Sequence, residues 1–533
     1  MKLSQRISIN LLALTVALFI TLTGNYKFFI EVMDVYPFDE NLAFIISLTI
    51  WLFSFLSIFL LLAAYRYSVK PILIFLLLTS AIVSYFSNTY GTIFDNNMIV
   101  NSVETNLSES LDLLSFKLII YLVILGILPS VWVYKLRLKK VTIVPMLWGK
   151  FKVVIVLIVI FILVTLSFAK SYTSFARENK QLRMYINPTY FLYAIGKYVN
   201  NQFESINVPF VVIGQDAVIQ RNDSTKKLVI VVAGETARAD RFSLNGYERN
   251  TNPLLSQLDV VSFEQMSSCG TDTAVSLPCM FSSLTRSSYS HKQGKNMSNA
   301  LDILSTAGVE VLWRDNNSSS KSVADRITYQ DYKSSSLNTI CDIECRDEGM
   351  LVSLQTYINE HKNKDMMIVL HTMGSHGPAY YKRYPKEFEI FKPVCATNQL
   401  NECGDAQINN AYDNTILYTD YFLAKVIELL KSNQKTHKTA MFYMSDHGES
   451  LGEKGLYLHG MPYFIAPIEQ THVASILWLD KKFSQDVDVY RLKNNSNKVF
   501  SHDSFFHTLL GLLNVNTILY DKKLDFIPYI DLH

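Results

Sequence analysis

The stretch CGTDTAVSLPCM, residues 269–280, places two threonine hydroxyls between two cysteines. Thr271 and Thr273 lie two residues apart, and Asp272 stands between them. Threonine is a good N-cap residue, so the stretch could be a helix start that a disulfide holds in place. A helix start also attracts phosphate, and a metal ion can activate a hydroxyl there as a nucleophile. The residue types therefore allow a helix cap or a phosphoryl-transfer nucleophile, and they do not choose between the two threonines.

Candidate metal ligands follow three apolar runs in the second half of the chain. The run KKLVIVVAG leads into Glu235 and Thr236, DMMIVL into His371 and His376, and TAMFYMS into Asp446 and His447, with His459 shortly after. Each alone would more often be a cap, a turn or a loop histidine. Ligands of open α/β sheets gather beyond the carboxyl ends of the strands, and oxygen and nitrogen ligands without thiolates suit a catalytic zinc ion. Together they predict a zinc site at one sheet edge.

The elements that must position these residues fall into two halves. Of the 533 residues, 49% are hydrophobic, and most of this excess lies before residue 170. Five stretches there are long enough for a membrane-spanning helix, which needs about 20 residues. These predicted spans are Ile7–Ile30, Leu42–Ala64, Pro71–Phe94, Phe116–Val133 and Val153–Phe168. From Lys226 onward, short apolar runs alternate with helical segments, which is typical of an α/β domain.

The distribution of charge predicts the orientation. Lysine and arginine collect at the N-terminus and in the second and fourth loops, whereas the first and third loops are mostly acidic. Because positive charge stays in the cytoplasm, we expect the N-terminus inside and everything after Phe168 outside. The net charge of +2, with no basic patch interleaved with aromatics, argues against nucleic acid as a partner.

All six cysteines lie in the part predicted to be outside, which favours a disulfide framework. Their spacing favours pairs between neighbours, namely Cys269 with Cys279, Cys341 with Cys345, and Cys395 with Cys403. Residues 170–225 mix tyrosine and phenylalanine with Arg177, Arg183 and Lys197. This composition indicates one or two helices on the outer membrane surface. The alternative is a helix packed on the soluble domain.

Five segments taken together resemble the lipid A phosphoethanolamine transferases, of the EptA and mobile colistin resistance type, in the alkaline phosphatase and sulfatase superfamily. They are GETARADRFSLNGYERNTNP, CGTDTAVSLPCM, WRDNNSSSK, HTMGSHGPAYYKRYP and SDHGESLGEKGLYLHG. The resemblance extends to the five spans. It implies a five-helix transmembrane domain at 1–169, an interfacial helical linker at 170–225, and a periplasmic, zinc-dependent catalytic domain at 226–533. The catalytic domain would be an alkaline-phosphatase-like α/β/α sandwich. The protein as a whole would be a multi-pass protein of the bacterial inner membrane.

The resemblance also implies roles for individual residues. It makes Thr273 the nucleophile. The zinc ligands that it implies are Glu235, Thr273, Asp446 and His447. Next to them, His376 and His459 would bind substrate phosphate or a second, weaker zinc ion. The implied substrate contacts are Ser318 and Lys321 in DNNSSSK, and Asn101, Thr105 and Glu109 before the fourth span.

Asn101, Thr105 and Glu109 recur at intervals of four, so on a helix they would share one face. The alternative for this stretch is a solvated amphipathic turn. Asp272 is a departure from the family pattern, because it puts a negative charge beside a site that must accept phosphate. It could favour the helix N-terminus.

The implied reaction transfers phosphoethanolamine from phosphatidylethanolamine to lipid A through a covalent phosphothreonine. The added ammonium group would offset lipid A phosphate charge and confer resistance to polymyxin and other cationic peptides. The implied partners are the donor lipid, lipopolysaccharide and the membrane, and we expect a monomer.

Other functions stay open at this point. The acceptor could be a Kdo or heptose of the core, or a periplasmic glucan. Water as acceptor would make the protein a membrane-anchored phosphatase or sulfatase-type hydrolase, although Met280 stands where the sulfatase pattern of SLPCM would need arginine. A non-catalytic binding module would need neither zinc nor the Thr273 hydroxyl.

Overall fold

The computed structural model describes residues 6–105, 107–205, 208–220 and 224–530, with the side chains of 107–109 and 205 left out. The described chain forms two compact units. The first contains the residues up to Ile99 together with Leu114–Tyr198, and the second contains Val100–Leu113 together with the residues from Val199 onward. The short segment 100–113 and the end of the expected linker thus group with the unit that contains the candidate site residues. The domain boundaries at 169 and 225 stay predictions.

The first unit is helical. Among its described residues, four helices are long and apolar enough to cross a membrane, namely Phe38–Ala63, Val69–Tyr90, Phe116–Lys135 and Ile143–Ser167. The third of these contains a π-helical section at Leu122–Ile127. Shorter helices follow the fourth span at Ala169–Glu178 and Thr189–Ser205, with a 3₁₀ section at Lys180–Tyr185 between them.

The first predicted span is bent rather than straight. Ile9–Gly24 and Tyr26–Val35 meet at 56° around Asn25, and counting them as one span gives the five that the sequence predicts. The Asn25 amide donates to the carbonyl of Asn187 at 3.0 Å, and the Asn187 amide donates to the carbonyl of Gly24 at 2.9 Å. These bonds satisfy polar groups that a helix break would otherwise leave unpaired in an apolar interior.

A seven-stranded sheet forms the centre of the second unit. Numbered in chain order, its strands are β1 (Lys226–Gly234), β2 (Val260–Ser262), β3 (Glu310–Asp315), β4 (Thr328–Asp331), β5 (Met366–His371), β6 (His437–Ser445) and β7 (Ser475–Leu479). Their order in the sheet is β2-β7-β6-β1-β5-β3-β4. The pairs from β6 to β4 are parallel, and β7 runs antiparallel to β6 and β2.

Both faces of this sheet are covered, which is why β1 is apolar from Leu228 to Ala233. Val229, Val231 and Ala233 of β1 point into one buried cluster, which helices Thr273–Met280, Ala300–Thr306 and Phe505–Leu512 complete. The alternate residues Leu228, Ile230 and Val232 point into a second cluster, which helix Asp405–Ser432 covers. The unit is therefore the α/β/α sandwich that the sequence predicts.

Smaller elements surround the sandwich. The remaining helices of this unit include Asn96–Glu104 in part, Leu107–Asp112, His291–Lys295, Leu354–Glu360, Ile468–Thr471 and Val489–Asn494. Short strands pair Val218–Ile219 with Val515–Asn516, Ser450–Leu451 with Tyr457–Leu458, and Gln265–Ser267 with His472–Val473 and Val499–Ser501. The six cysteines form the three expected disulfides, Cys269–Cys279, Cys341–Cys345 and Cys395–Cys403.

Candidate metal centre and active site

The candidate ligands leave the sheet at the carboxyl ends of adjacent parallel strands. Strand β1 ends at Gly234 and is followed by Glu235, and β6 ends at Ser445 and is followed by Asp446. Gly234 and Ser445 are paired in the ladder, and the N–H of Asp446 donates to the Gly234 carbonyl at 2.9 Å. The sheet register therefore delivers the two carboxylates side by side, where ligands of open α/β sheets collect.

Four buried side chains converge at this edge. The Thr273 hydroxyl oxygen lies 3.1 Å and 3.3 Å from the two carboxylate oxygens of Glu235, and 3.2 Å from Nε2 of His447. The same Nε2 lies 3.4 Å from Oε1 of Glu235 and 3.5 Å from Oδ2 of Asp446. The structure thus brings together the four residues that the resemblance implies as zinc ligands.

His447 presents a metal-binding lone pair to this cluster. Its Nδ1 lies 2.9 Å from the Gly448 carbonyl, which can only accept a hydrogen bond, so Nδ1 carries the hydrogen. Burial lowers the pKa of His447 well below its usual value, and the neighbouring His459 lowers it further. A neutral imidazole with Nε2 unprotonated is the form that binds metal ions.

The four residues fit a zinc ion. Oδ2 of Asp446 is buried and has no hydrogen-bond partner within the described part of the chain, and burial raises the pKa of this carboxyl group. Two carboxylates buried together are costly unless a cation compensates them. The ligand-to-ligand distances of 3.1–3.5 Å match the edge of about 3.3 Å expected for a tetrahedron with metal–ligand bonds of about 2.0 Å.

The two threonines of residues 269–280 have different partners. Thr271 donates its hydroxyl hydrogen to the Met461 carbonyl at 2.7 Å, away from the carboxylates. Asp272, rather than a threonine, is the N-cap of helix Thr273–Met280, and its side chain accepts from the Val275 N–H at 3.0 Å. Thr273 is the first residue of that helix. The stretch is therefore a disulfide-linked helix cap that also places one hydroxyl, that of Thr273, among the candidate ligands.

Two residues that sequence reasoning missed hold this turn against β6. The Ser276 hydroxyl donates to the Asp446 carbonyl and accepts from the Gly270 N–H at 3.2 Å. His502 accepts from the Cys269 N–H at 3.1 Å and donates through Nε2 to the Ser445 carbonyl at 3.0 Å. Burial lowers the pKa of His502 to about 4, which keeps it neutral. No local pattern around His502 distinguishes it from a loop histidine.

A second group of candidate ligands adjoins the first. The ring centroids of His459 and His447 are 4.4 Å apart, and those of His459 and His376 are 5.4 Å apart. Glu449, which the sequence reasoning missed, accepts from Nδ1 of His459 at 2.8 Å and from the Tyr380 hydroxyl at 2.7 Å. Burial opposes protonation of His459, but the Glu449 carboxylate outweighs it and raises the pKa of His459. The signal for Glu449 was its place in SDHGES, two residues after His447.

The loop after β3 carries the predicted headgroup contacts. Asn317, another missed residue, donates from its amide to Oε2 of Glu235 at 2.7 Å and to the Thr372 carbonyl at 2.8 Å. Ser318 follows it and is half-buried. Lys321 is buried with a left-handed backbone (φ 49°), and its ammonium group donates to the Glu104 carbonyl at 3.2 Å. Strain of this kind in a non-glycine residue is frequent at functional sites.

The segment before the fourth span differs from a single helix. Helix Asn96–Glu104 ends one residue before Thr105, whose hydroxyl donates to the Asn101 carbonyl at 2.7 Å, and the next helix is Leu107–Asp112. Asn101 and Thr105 therefore do not extend along one helical face. The Glu109 side chain lies outside the described residues. All of these roles in substrate binding stay predictions.

Comparisons with known proteins agree on one family. The family model for phosphoethanolamine transferase EptA/EptB matches residues 52–203, and the sulfatase model matches residues 227–515. Phosphatidylethanolamine transferase Mcr-2 of Escherichia coli is 43% identical over 96% of this chain and 96% of its own length. Phosphoethanolamine transferase EptA of Escherichia coli K12 is 38% identical over 98% of each chain.

A solved structure of similar length also matches. The integral membrane protein lipooligosaccharide phosphoethanolamine transferase A (EptA) from Neisseria meningitidis has a TM-score of 0.95 and 34% sequence identity. The match covers 98% of this chain and 99% of that one. Fold and sequence therefore agree over nearly the whole chain.

Proposed function

Since the chain belongs to the EptA/EptB family of phosphoethanolamine transferases, with a catalytic unit of the sulfatase family, we propose that it moves phosphoethanolamine from phosphatidylethanolamine to lipid A. The observation that carries this proposal is the place of the Thr273 hydroxyl, 3.1 Å from Glu235 and 3.2 Å from His447 at the first turn of a helix. A hydroxyl in that setting is suited to attack phosphorus.

The reaction has two balanced steps. In the first, Oγ1 of Thr273 forms a bond to the donor phosphorus, the bond from phosphorus to the glycerol oxygen breaks, and diacylglycerol leaves with a proton. In the second, a lipid A phosphate group gives up its proton and its oxygen forms a bond to the same phosphorus, the bond from phosphorus to Oγ1 breaks, and Oγ1 of Thr273 takes up a proton. His376 and His459 adjoin the cluster and would carry protons between these steps.

A zinc ion held by Glu235, Thr273, Asp446 and His447 would lower the pKa of the threonine hydroxyl and offset negative charge at phosphorus. His447, Glu449 and His459 also form a group that could hold a metal ion, which supports a second, weaker site. The helix start at Thr273 adds backbone N–H groups that favour a phosphate.

The donor headgroup would lie between the loop after β3 and residues 100–113. Lys321 and Ser318 would contact its phosphate, while Asn101, Thr105 and Glu109 would face the ethanolamine. Support comes from the hydrogen bond between the Lys321 ammonium and the Glu104 carbonyl, which links the two segments. A carboxylate such as Glu109 is the natural partner for an ammonium group.

The proposal extends to the setting of the enzyme. We place it in the bacterial inner membrane as a monomer, with the N-terminus cytoplasmic and the catalytic unit periplasmic. Adding an ammonium group to lipid A offsets phosphate charge, so the expected consequence is resistance to polymyxin and other cationic peptides. The apolar helices support membrane insertion, and three disulfides suit an oxidising compartment.

Mass spectrometry of lipid A tests the proposal. A Gram-negative host would express the wild-type chain, Thr273→Ala or Thr271→Ala, with membrane levels checked by immunoblot. We expect added phosphoethanolamine with the wild type and with Thr271→Ala, whose lost hydroxyl bonds only a backbone carbonyl. Thr273→Ala should add none.

No addition by a well-expressed wild-type chain would reject lipid A as the acceptor. Core Kdo and heptose residues and periplasmic glucans would then be analysed for the same mass increment. Release of free phosphoethanolamine, with no acceptor modified, would instead identify a hydrolase.

A further inference from the structure

Residues 100–113 belong to the catalytic unit, although in the sequence they lie between the third and fourth predicted spans. We call them the docking segment. Two acidic side chains lie near its ends, Glu104 at the end of the first helix and Asp112 at the end of the second. Each contacts basic residues that come from a distant part of the same unit.

Glu104 lies in a cluster of three basic side chains. Its Oε1 is 2.5 Å from Nζ of Lys295 and 3.6 Å from Nε2 of His291, and its backbone carbonyl accepts from the Lys321 ammonium. Burial tends to raise the pKa of this carboxyl group, but His291 and Lys295 together hold it at about 2. Glu104 is therefore ionised at neutral pH and paired on both its side chain and its backbone.

Asp112 makes the corresponding contacts at the other end. Its two carboxylate oxygens lie 2.5 Å from Nζ of Lys382 and 2.8 Å from Nη2 of Arg383, and its carbonyl accepts from the Asn398 amide at 2.7 Å. Arg383 is buried and also donates through Nε to the His376 carbonyl at 2.7 Å. Arg383 thus connects Asp112 to His376, the histidine beside the candidate metal centre.

Both ends of the docking segment therefore attach to parts of the candidate site. We propose that Glu104 and Asp112 are positioning residues, which fix the docking segment on the catalytic unit and thereby hold Lys321 and His376 where the donor headgroup binds. This inference rests on the proposed function, because it assigns the two carboxylates to the phosphatidylethanolamine site.

The arrangement is more than two surface ion pairs, each of which alone would contribute little. Each carboxylate contacts two basic side chains, and in both residues the backbone carbonyl is also bonded. The strained backbone of Lys321, which needs surrounding contacts to persist, receives one of them from Glu104.

Charge exchange between Glu104 and Lys295 tests the proposal in the full chain. Initial rates of transfer from phosphatidylethanolamine to lipid A in detergent micelles would be measured for Glu104→Lys, Lys295→Glu and the double variant. We expect each single change to raise the donor concentration at half-maximal rate about three- to tenfold with little change in the maximal rate. The double variant should recover most of the wild-type value.

Lys292→Glu is the matched control. Lys292 lies on the same short helix as Lys295, but it is more exposed, and it pairs with the exposed Glu204 at 3.8 Å rather than with Glu104. This charge reversal should leave the donor dependence as in the wild type. An equal effect of Lys292→Glu would indicate a general electrostatic influence on the lipid and would overturn a positioning role.

Amide hydrogen exchange gives a second readout that does not need activity. Glu104→Lys should speed exchange in peptides covering residues 100–113, and the double variant should restore slow exchange. Faster exchange with an unchanged donor dependence would overturn the proposal, as would single effects that merely add in the double variant. A wild-type chain that transfers nothing would reject the proposed function instead, whereas wild-type rates in all charge variants, with Thr273→Ala inactive, would reject the positioning role alone.

Discussion

The hydroxyl oxygen of Thr273 lies 3.2 Å from Nε2 of His447, although 174 positions separate the two residues in the sequence. Ser276 and His502 link the turn before Thr273 to the end of β6 through hydrogen bonds to the carbonyls of Asp446 and Ser445. His447 follows directly after Asp446. Neutral, buried hydrogen bonds therefore help to position the candidate ligands.

Removing the metal should abolish transfer. Two buried carboxylates remain without a compensating cation when the ion is lost, so a chelator should inactivate the enzyme and added zinc should restore it. Elemental analysis should find at least one zinc ion per wild-type chain and clearly less in Asp446→Asn. Glu449→Gln, which alters only the second group, should keep the tightly bound zinc. Equal zinc content in wild type and Asp446→Asn would contradict the ligand assignment.

Asp525 should make the catalytic unit less stable at alkaline pH. Burial raises the pKa of this carboxyl group to about 7, although bonds from Ile527, Tyr520 and Thr508 lower it in part. The folded chain therefore holds a proton that the unfolded chain releases near pH 4, so stability falls as the pH rises from about 4 to about 7.

The replacement Asp525→Asn removes this dependence. At pH 8 it should raise the free energy of unfolding by up to roughly 4 kcal/mol, and at pH 4 it should have little effect. Thermal unfolding of the full chain in detergent at both pH values measures the difference. A variant that is less stable than the wild type at pH 8 would show that Asp525 is ionised and well paired in the fold.

Asn187 should stabilise the membrane unit through the bend at Asn25. Its amide donates to the carbonyls of Gly24 and Ser80 and to the Ser84 hydroxyl. Asn187→Ala removes these buried hydrogen bonds, although the Ser84 hydroxyl still donates to the Gly24 carbonyl, so the cost is about 1–2 kcal/mol. The melting temperature in detergent should fall by several degrees. Asn200→Ala, which removes an exposed amide bonded to Glu204, should leave it nearly unchanged.

The sequence predicted those features that follow from local pattern. Apolar length predicted the spans, strand periodicity with polar ends predicted a sheet edge rich in ligand-type residues, and cysteine spacing predicted the disulfides. It could not predict the bend at Asn25, because the partner Asn187 lies 162 positions away. For the same reason it missed His502 and the attachment of residues 100–113 to the catalytic unit. Such contacts depend on tertiary packing, which leaves no periodic signal.

Asp272 allows the charge of the capping residue to be separated from its hydrogen bond. Its carboxylate caps the helix that begins at Thr273 by accepting from the Val275 N–H. Asparagine caps equally well, so Asp272→Asn should keep the melting temperature and the transfer rate close to wild type. Asp272→Ala loses the cap, which costs about 1 kcal/mol, and the less ordered first turn should lower the rate of transfer.

The two variants would be compared by thermal unfolding and by initial rates at saturating donor. If Asp272→Asn were as slow as Asp272→Ala while keeping the wild-type melting temperature, the negative charge itself would contribute to the reaction. That outcome would point to the influence of Asp272 on His459. Burial lowers the pKa of His459, whereas Glu449 raises it and Asp272 adds a smaller increase. If only Asp272→Ala is impaired, the residue acts by ordering the turn that presents the Thr273 hydroxyl.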